Sequence, residues 1–253
     1  MRFLLMTAGF IIFALSGLSE GAGKKISEIG NKHNFSYSNI SVNYRALPTN
    51  DNPSYPQSAR ICIFCHTPHH ASSEGPLWNR QASTKTFKHF SSSTLSIDDP
   101  ALRATSEYGQ PNGSSRLCLS CHDGVTALGA VFTTPFSMAP QPIHFTNVKG
   151  GQTGSASMAI AYETFSSHHP VSFRYNTNVI NVLKNTFQKD YKSPLNPNVK
   201  LDKLERMQCT TCHDPHQDKS NVPDPTTPFW TAGTYDEVCA ACHVTEPSPN
   251  PWK

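Results

Sequence analysis

The chain has 253 residues, a net charge of +3, an apolar fraction of 37%, 20 prolines and only 15% charged residues. This apolar fraction is below that of ordinary globular domains, which argues against a conventional aliphatic core and against long helices or sheets. Disorder is also disfavoured, because disordered chains combine high net charge with few aromatics, whereas aromatics reach 10% here. We therefore expect something other than aliphatic side chains to fill the interior.

Residues 1–19 have the pattern of a signal peptide. Arg2 gives a positive start, residues 3–18 form an apolar run, and the small residues around Ser19 suit cleavage after it. A retained membrane anchor is the alternative, but about 16 apolar residues are few for a spanning helix, which needs about 20. We expect an exported chain that has no membrane span after cleavage.

The rest of the chain predicts little regular structure. Residues 20–60 are polar and predict an extended N-terminal arm, and residues 61–253 predict a single domain. Short helices are expected at residues 114–122, 180–191 and 201–213, and a fourth is expected after a capping box at residues 234–237. Residues 149–157 predict a loop, and the proline-rich tail at residues 246–253 predicts an extended segment. The expected fold class is mostly irregular, with short α-helices and little β-structure.

One pattern repeats four times and contains all 8 cysteines. Cys-x-x-Cys-His occurs at residues 62–66, 118–122, 209–213 and 239–243, which we call motifs 1 to 4. Disulfides and zinc are the alternatives, but neither needs a histidine directly after each second cysteine. Cys-x-x-Cys-His is the attachment motif for c-type haem. The sequence therefore predicts four haem c groups, held by Cys62, Cys65, Cys118, Cys121, Cys209, Cys212, Cys239 and Cys242.

The histidines predict how the irons are bound. The proximal ligands are the histidines that close the motifs: His66, His122, His213 and His243. Eight more histidines remain for four sixth positions: His33, His69, His70, His89, His144, His168, His169 and His216. This surplus favours bis-histidine haems. Methionine ligation of one haem is the alternative, with three methionines in the mature chain: Met138, Met158 and Met207.

Two motifs carry another histidine three residues after the proximal one. His69 follows His66, and His216 follows His213. A side chain one turn further on cannot easily reach the opposite face of the same haem. We therefore expect His69 and His216 to bind the iron of a neighbouring haem, with a surface contact to a propionate as the alternative. Such crossed ligation would tie haems into close pairs within a domain wrapped around a haem chain.

Several segments resemble multihaem cytochromes with doubled Cys-x-x-Cys-His motifs. They are "GNKHNFS", "CIFCHTPHH", "GPLWN", "LCLSCHDG", "HHPVSF" and "CTTCHDPH". Among these cytochromes, the chain is most similar to the tetrahaem outer-surface cytochromes that polymerise into extracellular nanowires. The resemblance implies His33, His69, His169 and His216 as the distal ligands, although the neighbours His70 and His168 stay open alternatives. His89 and His144 carry no family motif.

The resemblance also implies partners and a location. In the filament-forming relatives, a histidine near the mature N-terminus ligates a haem of the next subunit, and His33 is the matching residue. Ligation within its own chain is the alternative for His33. Covalent haems packed together indicate electron transfer, and six-coordinate irons leave no site for a substrate, so we do not expect an enzyme. The resemblance implies that this transfer takes place at the cell surface or outside the cell. A monomeric periplasmic shuttle, exchanging electrons with other redox proteins, is the first alternative, and a redox enzyme with one open haem is the second. No basic stripe suggests nucleic-acid binding.

Overall fold

A computed structural model describes the chain in segments: residues 24–42, 44–46, 60–87, 89–90, 92, 95, 111–123, 126, 128–132, 169–188, 190–219 and 229–244. Most of these residues are in turns and coil, which confirms the predicted fold class. The described helices are α1 (Gly113–Leu119), α2 (Thr177–Phe187), α3 (Cys209–Cys212) and α4 (Tyr235–Cys239), with a 3₁₀ turn at Cys62–Phe64. No helix among these residues is long and apolar enough to cross a membrane. The predicted signal peptide, the 149–157 loop and the tail lie outside the described residues.

Helix α2 is the longest described helix, and its ends have clear local causes. The side chain of Asn176 accepts a hydrogen bond from the Val179 amide at 3.2 Å and so caps the first turn. Gln188 ends the helix in the left-handed conformation, with φ of 52°. Between these ends, Val179 and Leu183 are buried on one face. The helix therefore begins three residues before the predicted range of 180–191 and ends four residues before its end.

The predicted helix at residues 201–213 is wrong except for its last turn. Asp202 accepts hydrogen bonds from the amides of Leu204 and Arg206, both at 2.9 Å, which fixes a turn in place of a helix. Glu205 then has φ of 58°, a value that interrupts a right-handed helix. The next two residues form strand β2 (Arg206–Met207), which pairs antiparallel with β1 (Phe173–Arg174).

The buried apolar residues form small clusters beside the motifs. The largest cluster lies around the two-stranded sheet and α2, and it includes Cys242 of motif 4. A second cluster surrounds Ile63 and Phe64 of motif 1 and includes Phe35 from the N-terminal segment. The apolar core thus lies directly against the cysteine motifs. This agrees with the low apolar fraction of the chain, which predicts an interior not filled by aliphatic side chains alone.

Residues 24–42 and 44–46 fold as successive turns where an extended arm was predicted. Buried asparagines hold these turns, since Asn39 donates to the carbonyls of Asn31 at 2.9 Å and Asn34 at 2.7 Å. The segment also docks on the region after motif 3, where the Ile26 amide donates to the His216 carbonyl at 2.6 Å. His33 is therefore held close to the motifs of its own chain.

Candidate haem-binding site

All four motifs adopt the same backbone turn. In each one, the histidine amide donates to the carbonyl of the first cysteine, at 2.7 Å for His66, 2.9 Å for His122, 3.0 Å for His213 and 3.0 Å for His243. This is the hydrogen bond of one α-helical turn, and it places both thiols and the imidazole around a single turn. The cysteines form no disulfide, and no cluster of three or more His, Cys, Asp or Glu side chains that could hold a metal ion occurs in the described part of the chain.

The motifs lie next to one another in chain order. In three cases a thiol of one motif acts on the pKa of a thiol in the next: Cys121 on Cys65, Cys118 on Cys209, and Cys239 on Cys212. Burial, followed by these neighbours, raises the pKa of Cys65 and of Cys212 to about 12. The hydrogen bond between Cys118 and Cys209 lowers the pKa of Cys209. Groups attached to these thiols would therefore follow one another in a row.

The segment 78–80 joins motif 1 to motif 2. The Arg80 side chain is almost fully buried, at 1% exposure. It donates to the carbonyl of Phe64, inside motif 1, and to the carbonyl of Ser120, inside motif 2, both at 3.4 Å. The indole of Trp78 donates to the Ser120 hydroxyl at 3.3 Å. In the sequence, "GPLWN" carries only a resemblance, and no pattern marks the next residue, Arg80, as the joint between two motifs.

Replacing Arg80 by methionine is expected to lower the free energy of unfolding of the holo-protein by about 3 kcal/mol, because buried carbonyls lose their donor. The shortest of these bonds runs to Leu128 O, at 2.6 Å. Denaturant titration followed by far-ultraviolet circular dichroism measures the change. Arg60→Met, at an exposed position, is the matched control and should change stability by about 0.5 kcal/mol or less. Equal stability of the two variants would contradict the role of Arg80 as the joint between motif 1 and motif 2.

A buried polar network joins motif 2 to motif 3. Gln208 accepts from the Ser115 hydroxyl at 2.7 Å and donates to the Asn112 side chain at 2.8 Å. The Ser115 hydroxyl in turn accepts from the Cys209 amide at 3.0 Å. Gly113 has φ of 53°, and a Cβ there would lie 2.7 Å from the Gln208 amide nitrogen. The positive φ and the close approach of the Gln208 side chain both favour glycine at this position.

An aromatic segment joins motif 3 to motif 4. The Thr231 amide donates to the carbonyl of Cys212 at 2.9 Å. Trp230 stacks on His213 with ring centroids 4.9 Å apart and packs edge-on against Tyr235 at 5.4 Å. Tyr235 is the first residue of α4, whose last residue is a cysteine of motif 4. All three joints between consecutive motifs are thus built from specific contacts.

Helix α4 begins as its sequence predicts, with one difference. The Thr234 hydroxyl accepts from the Glu237 amide at 3.1 Å. The Glu237 carboxylate accepts from the Gly233 amide at 2.9 Å, one residue before the N-cap. Both side chains thus satisfy amides at the start of the helix, which fixes the turn that carries Cys239.

Three proximal histidines face a second histidine across a similar gap. The ring centroids are 6.2 Å apart for His33 and His122, 6.2 Å for His66 and His216, and 6.4 Å for His169 and His243. A metal–imidazole bond is about 2.0 Å long, so two imidazoles on opposite sides of one iron have centroids about 6 Å apart. The three gaps fit bis-histidine coordination.

Hydrogen bonds at Nδ1 select the form of the imidazole that binds metal. In three of these histidines, Nδ1 lies beside a proline carbonyl: His33 with Pro215 O at 3.2 Å, His66 with Pro76 O at 3.2 Å, and His169 with Pro170 O at 3.0 Å. A carbonyl only accepts, so Nδ1 carries the proton and Nε2 has a free lone pair for a metal. No sequence pattern predicts that these proline carbonyls accept hydrogen bonds from the imidazoles.

Burial and the neighbouring His122 lower the pKa of His33 to about 4. The imidazole is therefore neutral near pH 7, as a metal ligand must be. His216 and His213 also lower the pKa of His33, so His33 is affected by histidines of motif 2 and of the motif 3 region. The pKa of His243 is also lowered, mainly by burial and next by the neighbouring His169.

The remaining predicted ligands are placed differently. His69 and His70 are exposed, and His70 has φ of 54°. His89 is buried at 9% exposure, while His144, His168, Met138 and Met158 lie outside the described residues. Met207 is buried in the cluster around the sheet, opposite Phe173, where its thioether packs as a core side chain. His213 has Trp230 on one face, and the identity of its iron-binding partner stays a prediction.

Residues 203–248 match a protein family described as the doubled CXXCH motif. The match covers motifs 3 and 4 and indicates a multihaem c-type cytochrome, in which covalently bound haem transfers electrons. No curated protein matches the chain.

The residues present fit such a cofactor. The repeated turn presents two thiols for thioether bonds, and the histidine that closes the turn offers an imidazole nitrogen to the iron. When bound, haem iron alternates between the ferric and ferrous states and so takes up and releases one electron. The protein would hold such a cofactor by the three side chains of a motif, and at three motifs a second imidazole lies at a distance that fits the iron.

Proposed function

We propose that the chain is an electron-transfer protein that binds four haems covalently, one at each Cys-x-x-Cys-His motif. The observation that carries this proposal is the set of contacts that join consecutive motifs: Arg80 donates to carbonyls of motifs 1 and 2, the Cys209 amide donates to Ser115 beside motif 2, and the Thr231 amide donates to the Cys212 carbonyl. Haems bonded to adjacent thiols would lie close enough for an electron to pass from each to the next. The conduit would run from motif 1 to motif 4.

The axial ligands follow from the three histidine pairs. We propose His216 for the haem of motif 1, His33 for motif 2 and His169 for motif 4, because each faces a proximal histidine at 6.2 to 6.4 Å. His69 is then the remaining ligand of the proposed set, for the haem of motif 3. This assignment makes His216 bind across motifs, since it follows motif 3 and serves motif 1.

Full bis-histidine ligation leaves no open iron for a substrate, so we propose that the chain is not an enzyme. Carbon monoxide added to the reduced wild-type protein should leave its spectrum unchanged. A haem that binds carbon monoxide in the wild type would instead favour the redox enzyme with an open site.

For its setting, we propose an exported subunit of an extracellular filament that passes respiratory electrons to external acceptors. The segment of residues 24–42 and 44–46 carries His33, and residues 47–59, which link it to motif 1, lie outside the described residues. If this segment docks on the next subunit by domain swapping, every contact around His33 is preserved. His33 would then ligate the motif 2 haem of its neighbour and link the subunits.

The alternative setting is a monomeric periplasmic shuttle. The pair formed by His33 and His122 within one chain favours it, because a self-contained monomer needs no partner to complete the haem of motif 2. The two settings make different predictions for assembly and the same prediction for haem content.

Electron microscopy and sedimentation of the holo-protein test the filament. We expect filaments from the wild type, and from His33→Ala we expect loss of filaments together with one carbon monoxide-binding haem per chain. Exposed His70→Ala is the matched control and should keep the filaments. A dilute wild-type monomer whose haems are all six-coordinate would support the shuttle, and normal filaments from His33→Ala would contradict the linking role.

A further inference from the structure

One aromatic side chain lies flat against the imidazole of His33. The rings of His33 and Phe229 are 4.4 Å apart at their centroids, with only 5° between their planes. Phe35 also contacts His33, but edge-on, at 6.0 Å and 71°. A flat stack resists rotation of the imidazole out of its plane, whereas an edge contact leaves rotation less restricted.

The backbone around Phe229 is built for this position. Phe229 has φ of 38°, a region that non-glycine residues rarely adopt. Its carbonyl accepts from the Asp214 amide at 2.8 Å, which ties it to the turn after motif 3. Such a conformation persists only where the surrounding structure holds it, and it is concentrated at functional sites. At the edge of the His33 ring, Nδ1 also contacts the Pro215 carbonyl, which belongs to the same turn. This is a second contact that holds the imidazole.

The three histidine pairs differ in the angle between their imidazole planes. The planes of His33 and His122 are crossed at 73°, and those of His169 and His243 at 77°, whereas His66 and His216 are nearly parallel at 20°. In low-spin ferric haem, parallel imidazoles split the two iron d orbitals that overlap the ligand π systems. Crossed imidazoles leave them close in energy. The plane angle therefore sets the electronic state of the haem.

We propose that Phe229 is a positioning residue: by stacking on His33 it holds this imidazole crossed to His122, and so it sets the electronic state of the haem at motif 2. The inference rests on the proposed function, because it needs His33 and His122 as ligands of one iron. It assigns a specific role to Phe229, which forms no thioether bond to the haem and is not a ligand of the iron.

Electron paramagnetic resonance of the oxidised holo-protein tests the role. Crossed planes give a single, strongly anisotropic signal at high g, and nearly parallel planes give a rhombic spectrum. In Phe229→Leu, one haem equivalent should move from the anisotropic to the rhombic signal, with no change in haem content or low-spin absorbance. Phe35→Leu, which removes the edge contact to the same imidazole, is the matched control and should keep the wild-type signals.

Phe229→Tyr retains the ring and should restore the wild-type spectrum, which separates the stack from a general loss of packing. An unchanged spectrum in Phe229→Leu would overturn the proposal, as would a changed spectrum in a fully folded Phe229→Tyr. Failure of the proposed ligands is distinguishable, because the anisotropic signal of motif 2 would then persist in His33→Ala.

Discussion

Replacing His216 by alanine is expected to convert one low-spin haem per chain into a high-spin haem that binds carbon monoxide, and the affected haem should be that of motif 1. His216 follows motif 3 in sequence, but its ring lies 6.2 Å from that of His66, with 20° between the planes. Removing it leaves one iron without its sixth ligand. Visible spectra of the reduced protein with carbon monoxide measure the number of opened haems.

A second variant locates the opened haem. In a chain that also carries Cys62→Ser and Cys65→Ser, motif 1 no longer attaches haem, so His216→Ala should open no further site. If the combined variant still gains a carbon monoxide-binding haem, His216 serves another motif and the crossed assignment is wrong. His70→Ala, at an exposed histidine near motif 1, should leave all spectra unchanged.

The second large effect is expected at the centre of the motif row. Replacing Cys118 and Cys121 by serine should remove one haem and interrupt the path between motif 1 and motif 3. Cys118 is hydrogen-bonded to Cys209, and Arg80 donates to carbonyls of both motif 1 and motif 2, so motif 2 is joined to both neighbours. Rapid reduction by a one-electron donor should change from uniform to biphasic, because motif 1 exchanges electrons with the rest more slowly.

The same replacement at Cys239 and Cys242 is the matched control. It also removes one haem, but motif 4 lies at the end of the row and the path through motifs 1 to 3 stays continuous. Reduction of the remaining haems should therefore stay uniform. Equal kinetics in the two variants would show that the order of motifs along the chain does not set the electron path.

Local patterns in the sequence predicted local structure well. The Cys-x-x-Cys-His spacing predicts a helical turn because its hydrogen bond joins residues four apart, and all four motifs have that bond. The start of α4 follows in the same way from Thr234 and Glu237. The helix predicted over residues 201–213 was wrong because Asp202 forms a competing side-chain turn and β2 pairs with a distant strand.

The joints between motifs could not be predicted from the sequence. Arg80 bonds to carbonyls 16 and 40 residues away, and Gln208 bonds to Ser115 across 93 residues. No periodicity or spacing encodes such contacts, because they arise only when the chain has folded. The pairing of distal histidines is equally long-range, as the 182 residues between His33 and Pro215 illustrate.

Intact mass measurement of the mature holo-protein, combined with peptide mapping, tests the central claim most directly. We predict the mass of the polypeptide plus four haems, with a thioether-linked haem on each peptide that contains a motif. Any motif recovered with free, disulfide-linked or zinc-bound thiols in the mature protein would contradict the account of a continuous four-haem row.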